Sequence, residues 1–102
     1  MTEDNYERLF EIFWQLYLSL RNGQWYIGNK QYTKQIFIRL AKKGLADEII
    51  EGTGKNANEG YRGYLKYRRI HDNFSQQPKY ASSFLNQGIW RDFVGFKYEP
   101  PL

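Results

Sequence analysis

The sequence predicts a small all-α fold, a bundle of three main helices with a short helix near the C-terminus. Apolar residues recur at helical spacing along most of the chain. The length of 102 residues suits one domain, and the 41% of hydrophobic residues, many of them aromatic, can supply its core. We therefore expect residues 1–95 to form a single helical domain and residues 96–102 to form a C-terminal tail.

The first helix is predicted by apolar residues at positions i, i+4, i+7, i+8, i+11 and i+14. These residues are Tyr6, Phe10, Phe13, Trp14, Tyr17 and Leu20. Leu9, Ile12 and Leu16 widen the same face, so we expect this helix to be the most buried of the bundle. Asp4 or Asn5 is expected to cap its start, where acidic residues suit the positive end of the helix dipole.

A second helix is predicted after a short connection. Asn22-Gly23 is expected to end the first helix, and residues 25–28 are expected to form a packed connection rather than a strand. The second helix should then run from about residue 29 to residue 43, with Gly44 as its C-cap. Its inward-facing residues are expected to be Thr33, Ile36, Phe37, Leu40 and Ala41.

The third helical segment is interrupted by glycines. One continuous helical phase links the residues Ile49, Ile50, Thr53, Ala57, Tyr61, Tyr64 and Leu65. Gly52, Gly54 and Gly60 oppose a helix here, because each costs roughly 1 kcal/mol relative to alanine. We interpret residues 46–70 as one long helix that is weakened in the middle, in preference to two helices joined by a flexible loop.

The C-terminal segment predicts a short helix that closes the bundle. Ser82 or Ser83 is expected to cap it, and Gly88 to end it. Trp90 should then cover the bundle as a large ring whose indole N–H can still find a partner. We expect the structural anchors here to be Phe84, Leu85 and Trp90.

The basic residues are unevenly distributed, which favours an anionic partner. Eleven of the fifteen Lys and Arg residues lie in segments 21–43 and 52–71, which hold only one of the eleven acids. Residues 1–11 instead carry four acids and one base. Separation of charge on this scale is typical of proteins that bind nucleic acid.

The strongest local signal is the basic and tyrosine-rich segment 61–69. Arg62, Lys66 and Arg69 lie at i, i+4 and i+7, so a helix places them in one positive stripe that can follow phosphates. Tyr67 lies near this stripe and can stack on an unpaired base. The predicted nucleic-acid-binding residues are Lys30, Lys34, Arg39, Lys42, Lys43, Lys55, Arg62, Lys66, Tyr67, Arg69, Lys79 and Arg91.

Few residues suggest catalysis, a metal or a cofactor, and we expect none of these. The chain has no cysteine, which excludes disulfides and Cys-ligated zinc and suits a reducing cytoplasm. His71 and Asp72 are adjacent and would point about 100° apart on a helix, which is not the spacing of a catalytic dyad. Residues 52–55 lack the full spacing of a phosphate-binding loop. No apolar run approaches the roughly 20 residues that span a bilayer.

The opening and closing segments resemble a known module. Residues 10–17 match an FxxFWxxY-like helix, and residues 78–92 match a Pro/Tyr-led segment of the form FLNxxxW followed by an acid. This layout is similar to the C-terminal module of phage and prophage replication proteins, which include replisome organisers and DnaT-like primosomal proteins. The resemblance covers residues 6–93. The resemblance implies a helical domain whose partners are DNA and a second replication protein, such as a replicative helicase, a loader or a polymerase.

The chain departs from the module at three points. Residues 18–20 continue the first helix, where the module usually has proline and basic residues. The connection between residues 22 and 32 is longer than usual. The module also normally follows an N-terminal DNA-binding domain, so we expect a free-standing version that acts as an accessory.

Three functions are compatible with the sequence. The first is a non-enzymatic replication accessory of the bacterial cytoplasm that binds DNA, single-stranded in preference, with weak sequence specificity. The second is a protein-interaction module, such as a helicase- or polymerase-binding adaptor or a phage-encoded inhibitor, in which exposed aromatic residues are hot spots. The third is a winged-helix reader of duplex DNA, which requires residues 24–28 to pair as a strand with the tail.

Overall fold

The structure, a computed structural model, is an all-α bundle, as predicted. It describes residues 3–20, 26–71 and 77–99. The helices of these residues are α1 (Glu3–Leu18), α2 (Lys30–Ala41), α3 (Ala46–Thr53), α4 (Gly60–His71), α5 (Ala81–Asn86) and a 3₁₀ helix (Ile89–Phe93). The described ranges contain no strand, only an isolated antiparallel bridge between Glu59 and Lys97.

Aromatic side chains of α1 form the centre of the core. Phe10, Phe13 and Tyr17 are fully buried. The Phe13 ring stacks on Phe37 of α2 at 5.4 Å and on Phe84 of α5 at 6.3 Å, measured between ring centroids. The predicted core face of α1 is therefore confirmed, and this helix organises the packing of α2 and α5.

The start of α1 and its widened face differ from the prediction. Asp4 and Asn5 lie inside α1, which already includes Glu3, so neither is its N-cap. Ile12 is 44% exposed, although α2 and α3 both pack on α1. The expectation that Ile12 widens the buried face of α1 is therefore wrong. The predicted stop at Asn22-Gly23 lies outside the described residues.

α2 lies close to its predicted position. The Asn29 side chain caps it, since its Oδ1 accepts a hydrogen bond from the Tyr32 amide at 2.8 Å. The helix ends at Ala41, and Gly44 adopts a positive φ of 83° in the turn that follows. Residues 26–29 form a connection without regular structure in which Ile27 is buried, as expected.

The prediction of one long helix over residues 46–70 is wrong. The chain forms α3 and α4, and between them lies a compact turn rather than a flexible loop. Gly54 and Gly60 have φ values of 112° and 61°, which favour glycine and interrupt a right-handed helix. A Cβ atom at Gly60 would lie 2.6 Å from the Gly54 amide nitrogen, so the two backbones touch. Arg62 Nη1 donates to the Gly54 carbonyl at 3.0 Å and holds the turn.

The C-terminal segment closes the bundle, but its caps differ from the prediction. α5 begins at Ala81, after Tyr80, so Ser82 and Ser83 lie inside the helix and no side chain caps it. Gly88 has a left-handed conformation between α5 and the 3₁₀ helix. Phe84, Leu85 and Trp90 are buried, as expected. The Trp90 indole N–H, however, donates no hydrogen bond to any described residue.

Residues 96–99, from the predicted tail, pack on the start of α4. The Tyr98 amide donates to the Asn58 carbonyl at 2.7 Å, and the Phe96 carbonyl accepts from the Gly60 amide at 2.9 Å. The Tyr98 side chain is buried. This part of the tail therefore stabilises the turn between α3 and α4.

Two tyrosines join α1 and α4 to the segment before α5. The Tyr17 hydroxyl donates to the Lys79 carbonyl, and the Tyr61 hydroxyl accepts from the Lys79 amide at 3.3 Å. Burial, reinforced by the neighbouring Tyr61, raises the pKa of Tyr17 far above its usual range. Burial also raises the pKa of Tyr61.

These raised pKa values predict that the protein loses stability in alkali. Above pH ~10 the unfolded chain releases tyrosine protons that the folded chain retains, so the free energy of unfolding falls by up to ~1.4 kcal/mol per pH unit for each tyrosine. Below pH ~10 both the folded and the unfolded chain keep these protons, so the tyrosines contribute their full share to the free energy of unfolding. Urea denaturation between pH 8 and pH 11 measures this slope. Tyr17→Phe should make the slope shallower, and an unchanged slope in that variant would contradict the assignment.

Candidate nucleic-acid interface

A cationic cleft lies between the end of α1 and the exposed side of α4. Its volume is about 270 Å³. Its cationic lining comes from Arg62, Lys66 and Arg69, which are the predicted stripe of α4. The remaining lining residues are Ser19, Leu20, Ala57 and Leu65. The structure thus brings three of the predicted contact residues together at one concave surface.

The sequence of α4 explains why these cations share a face. These cations occupy positions i, i+4 and i+7, which lie on one face of α4, while Tyr61 is buried in the core. Lys66 Nζ donates to Asn58 Oδ1 at 2.9 Å, which positions its ammonium group beside the turn. Arg69 is exposed and makes no hydrogen bond or ion pair with the described residues. The cleft can therefore accept an anion on two or three cationic groups.

The cations at the start of α2 are neutralised by acids of α1. Lys30 Nζ lies 3.0 Å from Glu11 Oε1, and Lys34 Nζ lies 3.0 Å from Glu7 Oε1. The acidic first helix and the basic second helix, which the sequence presents as separate blocks, therefore pair across the α1–α2 interface. These two lysines are poor candidates for phosphate contacts.

Other predicted contact residues lie away from the cleft. Arg39 Nη2 donates to Asn86 Oδ1 at 3.3 Å, and Lys42 and Lys43 are exposed just after α2. Lys55 lies in the turn after α3, beside a different groove. The Arg91 guanidinium lies 4.5 Å from the centroid of the Trp90 ring, a cation–π contact.

The Tyr67 ring contacts two neighbouring rings, which cover part of it. Its ring centroid lies 4.6 Å from that of His71 and 5.6 Å from that of Tyr98. The side chain is 38% exposed, so one edge remains accessible. Tyr67 does not line the cleft, and its role as a stacking residue remains a prediction.

An exposed tyrosine pair beside Lys79 was missed by the sequence reasoning. Tyr26 and Tyr80 are 63% and 52% exposed, and their rings meet edge to face at 5.9 Å. The Ala81 amide donates to the Ile27 carbonyl at 2.8 Å and fixes the two segments together. The sequence signal was weak, because it consists of single tyrosines in two connections that are distant along the chain.

The described residues contain no group of three or more His, Cys, Asp or Glu side chains that could hold a metal ion. Within the same ranges, no helix has the length and apolar character needed to cross a membrane.

The chain was compared with protein-family models, curated proteins and solved structures, and none of them matches it. The resemblance to the phage replication module therefore remains a prediction from residues 10–17 and 78–92.

Proposed function

We propose that this chain is a non-enzymatic DNA-binding protein that holds single-stranded DNA through the cationic cleft. The observation that supports this proposal is the convergence of Arg62, Lys66 and Arg69 on one concave surface, which no carboxylate of the described residues lines. Cations arranged in this way bind phosphates with little dependence on base sequence, and the binding weakens as salt rises.

The preference for single strands is supported by the tyrosine pair. Proteins that bind single-stranded nucleic acid combine a cationic groove with exposed rings on which unpaired bases stack, each worth about 1–3 kcal/mol. Tyr26 and Tyr80 are such rings, and the exposed Lys79 adjoins them. Bases in a duplex are not available for this kind of stacking.

The winged-helix alternative receives no support from the described backbone. Residues 26–28 form no strand, and Ile27 bonds to Ala81 at the start of α5. The bridge formed by the tail pairs Lys97 with Glu59 instead. Residues 26–28 and 96–99 therefore do not pair with each other as this alternative requires.

The role in replication rests on the resemblance alone. Within this proposal the protein acts in the bacterial cytoplasm as an accessory encoded by a phage or mobile element. It would bind DNA together with a replicative helicase, a loader or a polymerase, as part of a primosome.

Neutralising the cleft is expected to weaken DNA binding. Lys66→Gln combined with Arg69→Gln should lower the affinity for a labelled single-stranded oligonucleotide roughly thirtyfold, if each charged contact contributes about 1 kcal/mol. Fluorescence anisotropy measures this change. Arg62 is left intact because its hydrogen bond to Gly54 holds the turn before α4.

The matched control is Lys30→Gln combined with Lys34→Gln, which removes the same charge from α2. Because Glu11 and Glu7 already neutralise these lysines, the control should bind within about threefold of the wild type. Equal losses in both double variants would show that net charge, not the cleft, governs binding. An unchanged affinity in the cleft variant would reject the proposed function.

A further inference from the structure

A largely apolar groove runs along the outer face of α1. It consists of two adjoining cavities of about 520 Å³ and 320 Å³, which share Ile12 and Leu16. One side of the groove reaches α3 through Asp47 and Ile50, and the other reaches α4 through Arg62. The groove lies outside the cationic cleft and meets it at Ser19 and Arg62.

The groove exists because α1 is apolar on two faces. One face carries the aromatic core residues. The other carries Leu9, Ile12 and Leu16, at spacings of three and four residues, and Ile12 is 44% exposed. Apolar residues that line a concave surface in this way are typical of a site that binds another protein.

Charges around the groove and the cleft identify the chemistry of the occupant. Among the described residues, the two surfaces are lined by five cations and two carboxylates, one of which, Glu11, is paired with Lys30. The cations are Arg8, Lys55, Arg62, Lys66 and Arg69. A second copy of the chain would bring the same positive excess, which opposes association, whereas an acidic partner would complement it.

We propose that this groove binds an acidic amphipathic helix of a protein partner. The apolar residues of the helix, at i, i+3, i+4 and i+7, pack on Leu9, Ile12 and Leu16. Its carboxylates lie at the end that reaches Arg62 and the cationic cleft. The apolar lining selects a protein helix rather than a nucleic acid for the groove itself. This inference does not depend on DNA binding, although carboxylates and phosphates would compete near Arg62.

The test uses a labelled synthetic helical peptide with leucines at i, i+3, i+4 and i+7 and with glutamates clustered at one end. Ile12→Glu should weaken binding of this peptide at least tenfold, because it places a charge in the apolar groove. Gln35→Glu adds the same charge on the exposed side of α2 and should leave binding unchanged. Circular dichroism shows whether both variants keep the helical fold.

A second peptide, with lysines in place of the glutamates, tests the charge of the occupant. It should bind at least tenfold more weakly than the acidic peptide. Equal binding of the two peptides, or no loss of peptide binding in Ile12→Glu, overturns the proposal. So does sedimentation that shows a wild-type dimer which Ile12→Glu dissociates, because the occupant is then a second copy. A loss of oligonucleotide binding in Ile12→Glu, with peptide binding intact, assigns the groove to nucleic acid instead.

Discussion

Replacing Trp90 with alanine is expected to lower the free energy of unfolding by about 4 kcal/mol. The ring is fully buried, and removing a tryptophan side chain from a core leaves a cavity that the surroundings fill only in part. A loss of this size is a large share of the roughly 5–15 kcal/mol that stabilises a small domain. The melting temperature should fall by roughly 20 °C. Urea denaturation followed by circular dichroism measures the change.

Trp90→Phe is the matched control, and we expect it to cost only about 1 kcal/mol. It keeps an aromatic ring in the site and removes an indole N–H that donates to no described residue. A buried donor without a partner carries a desolvation cost, and losing it offsets part of the lost packing. If phenylalanine is as damaging as alanine, the N–H has a partner and this assignment is wrong.

Replacing Gly52 with alanine is expected to destabilise the protein by about 3 kcal/mol. In an ordinary helix the same substitution stabilises by roughly 1 kcal/mol, so the expected sign is reversed. A Cβ atom here would lie 2.2 Å from the Trp90 carbonyl oxygen, which is backbone and cannot move aside easily. The substitution must therefore push α3 and the 3₁₀ helix apart, which is an overpacking cost.

Gly44→Ala is the control for Gly52→Ala, because it introduces backbone strain without a close approach between backbone atoms. Gly44 has a φ of 83° and no atom within 4 Å of the added Cβ, so only the strain of a left-handed conformation applies. That strain costs about 1–2 kcal/mol. Thermal denaturation should rank Gly52→Ala clearly below Gly44→Ala. A Gly52→Ala protein that is as stable as the wild type would show that α3 and the 3₁₀ helix are not in contact.

Helical periodicity was sufficient to predict most of the core. Phe10, Phe13, Phe37 and Phe84 are buried where their spacing placed them, because an amphipathic helix must turn its apolar face to the core. Periodicity failed at residues 52–60. There the apolar residues kept a helical phase by coincidence, and the close approach of the Gly54 and Gly60 backbones decided the structure.

The candidate interface could be predicted only in part. The stripe formed by Arg62, Lys66 and Arg69 follows from spacing within one helix, so the sequence was sufficient to identify it. The pairing of Lys34 with Glu7 depends on how two helices pack, which local spacing does not encode. The same limit applies to the Tyr26–Tyr80 pair, whose members meet only in the folded chain.

We claim that the cleft on α4 binds phosphates, and the salt dependence of oligonucleotide binding is the decisive measurement. For three phosphate contacts to a single strand, the logarithm of the binding constant should fall against the logarithm of salt with a slope of about −2. The variant that carries Lys66→Gln and Arg69→Gln should retain a slope of about −0.7. A wild-type slope near zero, or the same slope in both proteins, would contradict the claim.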